Sequence, residues 1–182
     1  MDKMLKSSVA RIALLPVFSL ALLMPSSAYA GEEDAGELEV LASASPAEAP
    51  DSETSVDVNQ VVRADSSDYV SVTWTLNNES DGKIAATRFT NEVYSYNRDT
   101  HYALAGVKLI NPGDESEFHP IKSPRQVCFC SGTRRNLDFV THIESGESVS
   151  YWATFLLPQD IEEVSVEVRN FEPSEEVSIA SR

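Results

Sequence analysis

Basic residues are scarce in this chain. It carries 14 Lys and Arg against 29 Asp and Glu, a formal net charge of −15 at pH 7. Nucleic acids and anionic membrane surfaces are both held by clusters of positive charge, so neither is expected as a partner. Lys122, Arg125, Arg134 and Arg135 form the one basic cluster and read as a solvated loop. Helical periodicity is also lacking, because apolar spacing of three and four residues never lasts for two turns. Catalytic signatures are absent as well: there is no Gly-x-Ser-x-Gly, no His-Glu-x-x-His and no phosphate-cradling loop. The acidic pairs Glu162-Glu163 and Glu175-Glu176 consist of adjacent residues, which on a strand face opposite ways and cannot share a substrate. No Asp-x-Asp-x-Asp-Gly loop makes a calcium site of the acidic surface, and the closest cluster is Asp114-Glu115-Ser116-Glu117. The chain is therefore read as a non-enzyme, and no cofactor is expected.

What is present begins with an export signal. Lys3, Lys6 and Arg11 precede an apolar run from Ile12 to Met24, and Ala28-Tyr29-Ala30 supplies a small-residue cleavage site, so residues 1–30 read as a signal peptide. The run is 13 residues long. A spanning helix needs roughly 20, and the mature protein is expected to have no membrane span. Removing Lys3, Lys6, Arg11 and Asp2 leaves 11 bases against 28 acids, a charge of −17. Export places the protein outside the cytoplasm, secreted or in the cell envelope, where two cysteines can oxidise.

Residues 31–54 hold eight acids, no base and an Ala/Ser/Pro-rich middle. Leu38, Val40 and Leu41 are the only residues there that could drive burial, at roughly 1.5–3 kcal/mol each. Fixing the backbone costs about 1–2 kcal/mol for every residue, so the segment is expected to be a disordered acidic linker. Within it, Glu37-Leu-Glu-Val-Leu41 is a weak candidate docking motif.

Residues 55–182 read as one all-β domain, an antiparallel two-sheet sandwich of immunoglobulin-like architecture. Val70, Val72, Trp74 and Leu76 alternate with Ser71, Thr73 and Thr75, the clearest period-two signal in the chain. A turn over 77–82 leads to an expected second hairpin strand from Ile84 to Val93. Further strands are expected over His101 to Ile110, with a bulge at Gly106, and over Leu137 to His142. Val149, Tyr151, Ala153 and Phe155 alternate up to Pro158, then Val164, Val166 and Val168, and Val177 with Ile179 closes the domain. Trp74 and Trp152 are most simply core aromatics, carbohydrate stacking being the other role open to them.

The only cysteines, Cys128 and Cys130, are two residues apart. Their side chains share one strand face, yet farther apart than the ~3.8 Å between Cβ atoms that a disulfide needs, so a bridge demands a local bend. Closing a three-residue loop stabilises by only ~1.6 kcal/mol. Three readings stay open: an internal disulfide, two quiet thiols, or a metal pair. For the last, Cu(I) or Zn(II) would take imidazole from His101, His119 or His142, and His119 is nearest in sequence to the pair. A Cys–His nucleophile is disfavoured because the second thiol would trap the first as a disulfide.

Several segments together resemble a known family. They are Val107-Lys-Leu-Ile-Asn-Pro112, Val127-Cys-Phe-Cys-Ser131, Tyr151-Trp-Ala-Thr-Phe155 with Pro158, and Asp160 to Val168 with Phe171 and Pro173. They are similar to actinobacterial secreted immunoglobulin-like domains with a Cys-x-Cys-Ser segment, over about residues 100–180. That resemblance implies a bacterial extracytoplasmic module, sometimes placed before a peptidoglycan-binding domain, and it carries no catalytic residues over. The chain runs to Arg182 without such a second domain, so wall attachment through one is not expected. The resulting expectation is a non-catalytic, monomeric binding or structural module at the cell envelope with a protein or envelope partner. A metal-binding protein using Cys128, Cys130 and His119, or a thiol-redox protein, is the alternative.

Overall fold

The computed structural model describes residues 38–47, 53–90, 103–132 and 139–181. Residues 1–30, where a signal peptide is expected, residues 31–37 and 48–52 of the expected linker, His101, Arg134 and Arg135 lie outside them.

Alternating Val, Thr and aromatic residues suit a pleated surface with one buried face, and the longest elements form where that alternation is cleanest. Strands β1 (Ala42–Ala44), β2 (Thr54–Arg63), β3 (Tyr69–Asn78), β4 (Ile84–Ala85), β5 (Val107–Ile110) and β6 (Glu117–Phe118) are followed by β7 (His142–Ile143), β8 (Ser148–Leu156), β9 (Glu163–Val168), β10 (Val177–Ser178) and β11 (Ala180–Ser181). The first sheet has the order β1-β2-β3-β8, with β11 parallel to the far end of β2. The second has the order β10-β9-β5-β6, and β4 pairs with β7. The expected antiparallel β-sandwich is therefore present.

Between the sheets, Val72, Leu76 and Phe155 meet Leu109, Val164 and Val166 in one apolar core. The pairing of β3 with β8 alternates bulk: Val70 faces Phe155, Val72 faces Ala153, and Trp74 faces Tyr151 with ring centroids 6.3 Å apart. In β2 the valines at 58 and 61 break the two-residue period. A bulge between Val58 and Gln60 takes up the extra residue, Asn59, and keeps Val61 inside.

Four expectations are corrected. Part of the acidic segment is structured: β1 pairs with β2, burying Ala42 and Ala44, and Leu41 N donates to Val58 O at 2.8 Å. Two small residues and a run of ladder bonds suffice there, because an edge strand shares the sheet's existing core rather than building its own. Of the strand expected over Ile84 to Val93, the described residues form Ile84–Ala85, followed by a 3₁₀ turn (Ala86–Phe89), with residues 91–93 outside them, and its partner is β7, not β3. Asn78 explains the change of partner. It is buried, its side-chain amide donates to Gly82 O, Ile143 O and Glu144 O at 2.7–3.0 Å, and it ties the turn to β7. At Gly106 the reason for glycine is close approach rather than a bulge, since a Cβ there would sit 2.0 Å from Phe89 O. Lastly, Trp74 is a core residue but Trp152 is not: the register that turns Tyr151 and Ala153 inward turns Trp152 out.

Candidate functional site

The Cys segment lies along the outer edge of β8. A hairpin carries it there, built on Ser123-Pro124-Arg125-Gln126. Proline at the second position presets a tight turn. Gln126 N donates to Ser123 O at 2.8 Å, Ser123 N donates to Val127 O at 2.9 Å, and Gln126 takes the left-handed conformation that completes the turn. Lys122 then pairs with Cys128, whereas Cys130 pairs with Ala153 of β8. Because the backbone changes partners between the two cysteines, it bends at Phe129, which is the bend that a bridge two residues long requires. The sulfurs are bonded to each other, with the Cα atoms 5.4 Å apart.

Both cysteines are buried, Cys130 completely. Sulfurs joined to one another are not thiolate ligands, and among the described residues no three His, Cys, Asp or Glu side chains form a metal-holding group. His119 lies in the half-buried approach to the hairpin, two residues from Glu117, whose carboxyl is held below its usual range chiefly by its hydrogen bond to Lys108. His142 is exposed on β7 beside the Thr141 hydroxyl at 3.0 Å. Burial also keeps an exchanging thiol from reaching the pair.

What the bridge does is hold an edge. Thr154 N donates to Phe129 O at 2.9 Å, Ile121 N to Thr154 O at 2.8 Å, and Ser131 N to Trp152 O at 2.8 Å. Trp152 N donates to the Ser131 hydroxyl at 2.9 Å. The edge groups of β8 that would otherwise invite another strand are thereby occupied. Both cysteines turn inward, so Phe129 turns outward.

Phe129 does not stand there alone. Tyr69 and Leu156 face each other across β3 and β8, each 51 % exposed, while Phe129 is 48 % and Trp152 37 % exposed. Trp152 and Leu156 lie about 13 Å apart along one strand, and two strand spacings of about 10 Å separate Phe129 from the β3 column. Large apolar side chains gathered on an outer sheet face mark contact surfaces far more often than scattered ones do. Alternation could have revealed Trp152 and Leu156, but the position of Phe129 depends on the bend and on long-range pairing.

The acidic clusters and the Tyr151 phenol, among the described residues, are occupied structurally. Asp114 accepts from Ser116 N at 3.0 Å and Asn111 Nδ2 at 2.8 Å; the Ser116 bonds hold its carboxyl below the ordinary range. Glu117 and Glu167 flank Lys108 Nζ at 2.6 and 3.0 Å. Burial pulls the Lys108 ammonium down, but the two carboxylates outweigh it and its pKa is raised. Tyr151 donates its hydroxyl to Val140 O at 3.1 Å, and burial pushes its phenol up to about 12. An open cavity of about 410 Å³ at the far end of β2 includes Arg63, Glu162 and Glu163. Arg63 gives its guanidinium to the carbonyls of Leu157, Pro158 and Ile161, which makes it a clamp on that loop rather than a ligand group.

No family model and no curated protein matches this chain. Among solved structures it is similar to the yjhA protein from Bacillus subtilis, at 15% identity and a TM-score of 0.39, over 65% of this chain and 73% of that one.

Proposed function

We propose that the chain is a non-catalytic, extracytoplasmic binding module of the cell envelope, and that it makes contact through the outer face of β3 and β8 together with Phe129. The observation that carries this reading is the exposed group Tyr69, Phe129, Trp152 and Leu156, on a strand pair whose other face packs into the core. A disulfide-bonded pair is compatible with a location outside the cytoplasm. So is the finding that, among the described residues, no helix is long and apolar enough to cross a membrane.

Co-sedimentation of the exported protein with washed envelopes of its source organism tests the reading. The wild type is expected in the pellet and Trp152→Ala in the supernatant, with an unchanged thermal midpoint for the variant. A wild type that stays in the supernatant, or a variant that pellets equally well, contradicts it.

A further inference from the structure

The outer face of the first sheet is divided into two halves. In one half the polar side chains are committed to each other: Ser43 and Asn77 both donate to Asp57, at 2.6 and 2.8 Å, and Ser148 donates to Asn77 at 2.7 Å. Thr75 donates to Asn59 at 2.7 Å and lies 2.9 Å from the Ser150 hydroxyl. In the other half the hydroxyls of Ser71, Thr73 and Thr154 make no side-chain hydrogen bond among the described residues. These are the hydroxyls that the strand register interleaves with Tyr69, Trp152 and Leu156, while Phe129 lies opposite Thr154.

We infer that this half-face, the aromatic strip of Trp152, Phe129 and Tyr69 interleaved with the Ser71, Thr73 and Thr154 hydroxyls, binds an uncharged polysaccharide of the envelope surface. The inference rests on the proposed binding role and names its ligand. A sugar ring offers an apolar C–H face to an aromatic plane and hydroxyls at its rim, so it requires flat apolar side chains alternating with uncommitted polar groups. Charge agrees with this choice. The register places no acidic or basic side chain on the β3 and β8 part of this half-face, in a chain whose net charge is −15. An anionic polymer would be repelled by the protein as a whole, and a cationic one would be drawn to the acidic surface elsewhere. Size argues against a second copy of the chain as the occupant. The strip measures about 13 by 10 Å, far below the ~800 Å² that each partner buries in a standard protein interface.

The test divides envelope binding by chemistry. Washed envelopes are treated with periodate, which cleaves vicinal diols of sugars, or with a broad protease, and then offered to the exported full chain. Neutral soluble glucans and mannans are added to untreated envelopes as competitors, with alginate as the anionic control. The expected result is that periodate abolishes sedimentation, protease does not, and at least one neutral polysaccharide competes where alginate fails. Trp152→Ala should weaken binding about tenfold or more, as for a central aromatic anchor, and Trp152→Phe should restore part of it. If sedimentation survives periodate but not protease, the ligand is a protein, so the polysaccharide inference falls while the binding role stands. If wild type never pellets, both fall. Retention by Trp152→Ala of wild-type competition by the neutral glycan overturns the placement of the site.

Discussion

The inner and outer faces of the β3–β8 ribbon are built from the same strands in the same register, yet they obey different rules. Inside, Val70, Val72, Trp74 and Leu76 meet Tyr151, Ala153 and Phe155, all at or below 2 % exposure. Each large residue faces a smaller or offset one, as dense packing requires. Outside, Tyr69, Trp152 and Leu156 stand in solvent without a layer above them among the described residues. A sheet with one solvated face is expected to carry small polar residues there, and half of this face does. The other half bears apolar surface that no described residue covers. Stability is thus concentrated on one face, the proposed contact residues stand on the other, and the disulfide-held edge links the two by placing Phe129 outside and Cys130 inside.

The largest expected effect breaks the inner face. Phe155→Ala empties a fully buried site and should cost about 3–5 kcal/mol in urea unfolding, whereas its exposed neighbour changed by Leu156→Ala should stay within about 0.5 kcal/mol. Equal losses would erase the distinction between the faces. Next comes Asn78→Ala. It leaves the carbonyls of Ile143 and Glu144 without their amide donor and should cost about 1–3 kcal/mol, with hydrogen exchange rising first around β4 and β7.

Reducing the Cys128–Cys130 bridge should cost only ~1.6 kcal/mol, the loop-closure value for so short a ring. Envelope binding should fall by more than that loss of stability explains, because Phe129 is no longer pinned. The smallest effect concerns Lys108 on the second sheet. The Glu117 carboxyl is held low by its bond to Lys108, so that contribution is present above the ordinary carboxylate pKa and is lost as pH falls through the depressed value. The raised Lys108 ammonium contributes below its ordinary pKa and loses that as pH rises through the higher one. Between these limits Lys108→Met should cost below about 1 kcal/mol, since the pair is partly exposed and screened, and binding should be unaffected at any pH.

Much of the fold is legible in the sequence, because β3, β8 and β9 each alternate without interruption. The bulge at Asn59 and the partner of β4 are not, since both depend on side chains that act far along the chain: Asn59 receives a bond from Thr75, and Asn78 reaches Ile143. Strand β1 escapes notice because alanine and serine carry little hydrophobic signal, and the strand exists through its register with β2. The Cys pair is visible at once, but its bridging turns on a change of partner strand that no local pattern encodes. Trp152 illustrates how position outranks residue type. A tryptophan is read as core by its bulk, while the alternation of Tyr151, Ala153 and Phe155 already assigns it to the opposite face.

The two tryptophans supply the most direct test, since Trp74 is buried and Trp152 exposed. Acrylamide quenching of their emission, measured on the protein alone and then with saturating envelopes, reports the outer face against an internal reference. The account predicts one accessible and one protected fluorophore in the free protein, and loss of the accessible fraction on binding, with no such change in Trp152→Phe. If the protein is bound and Trp152 remains as quenchable as before, contact is made elsewhere and the outer face of β3 and β8 is not the binding surface.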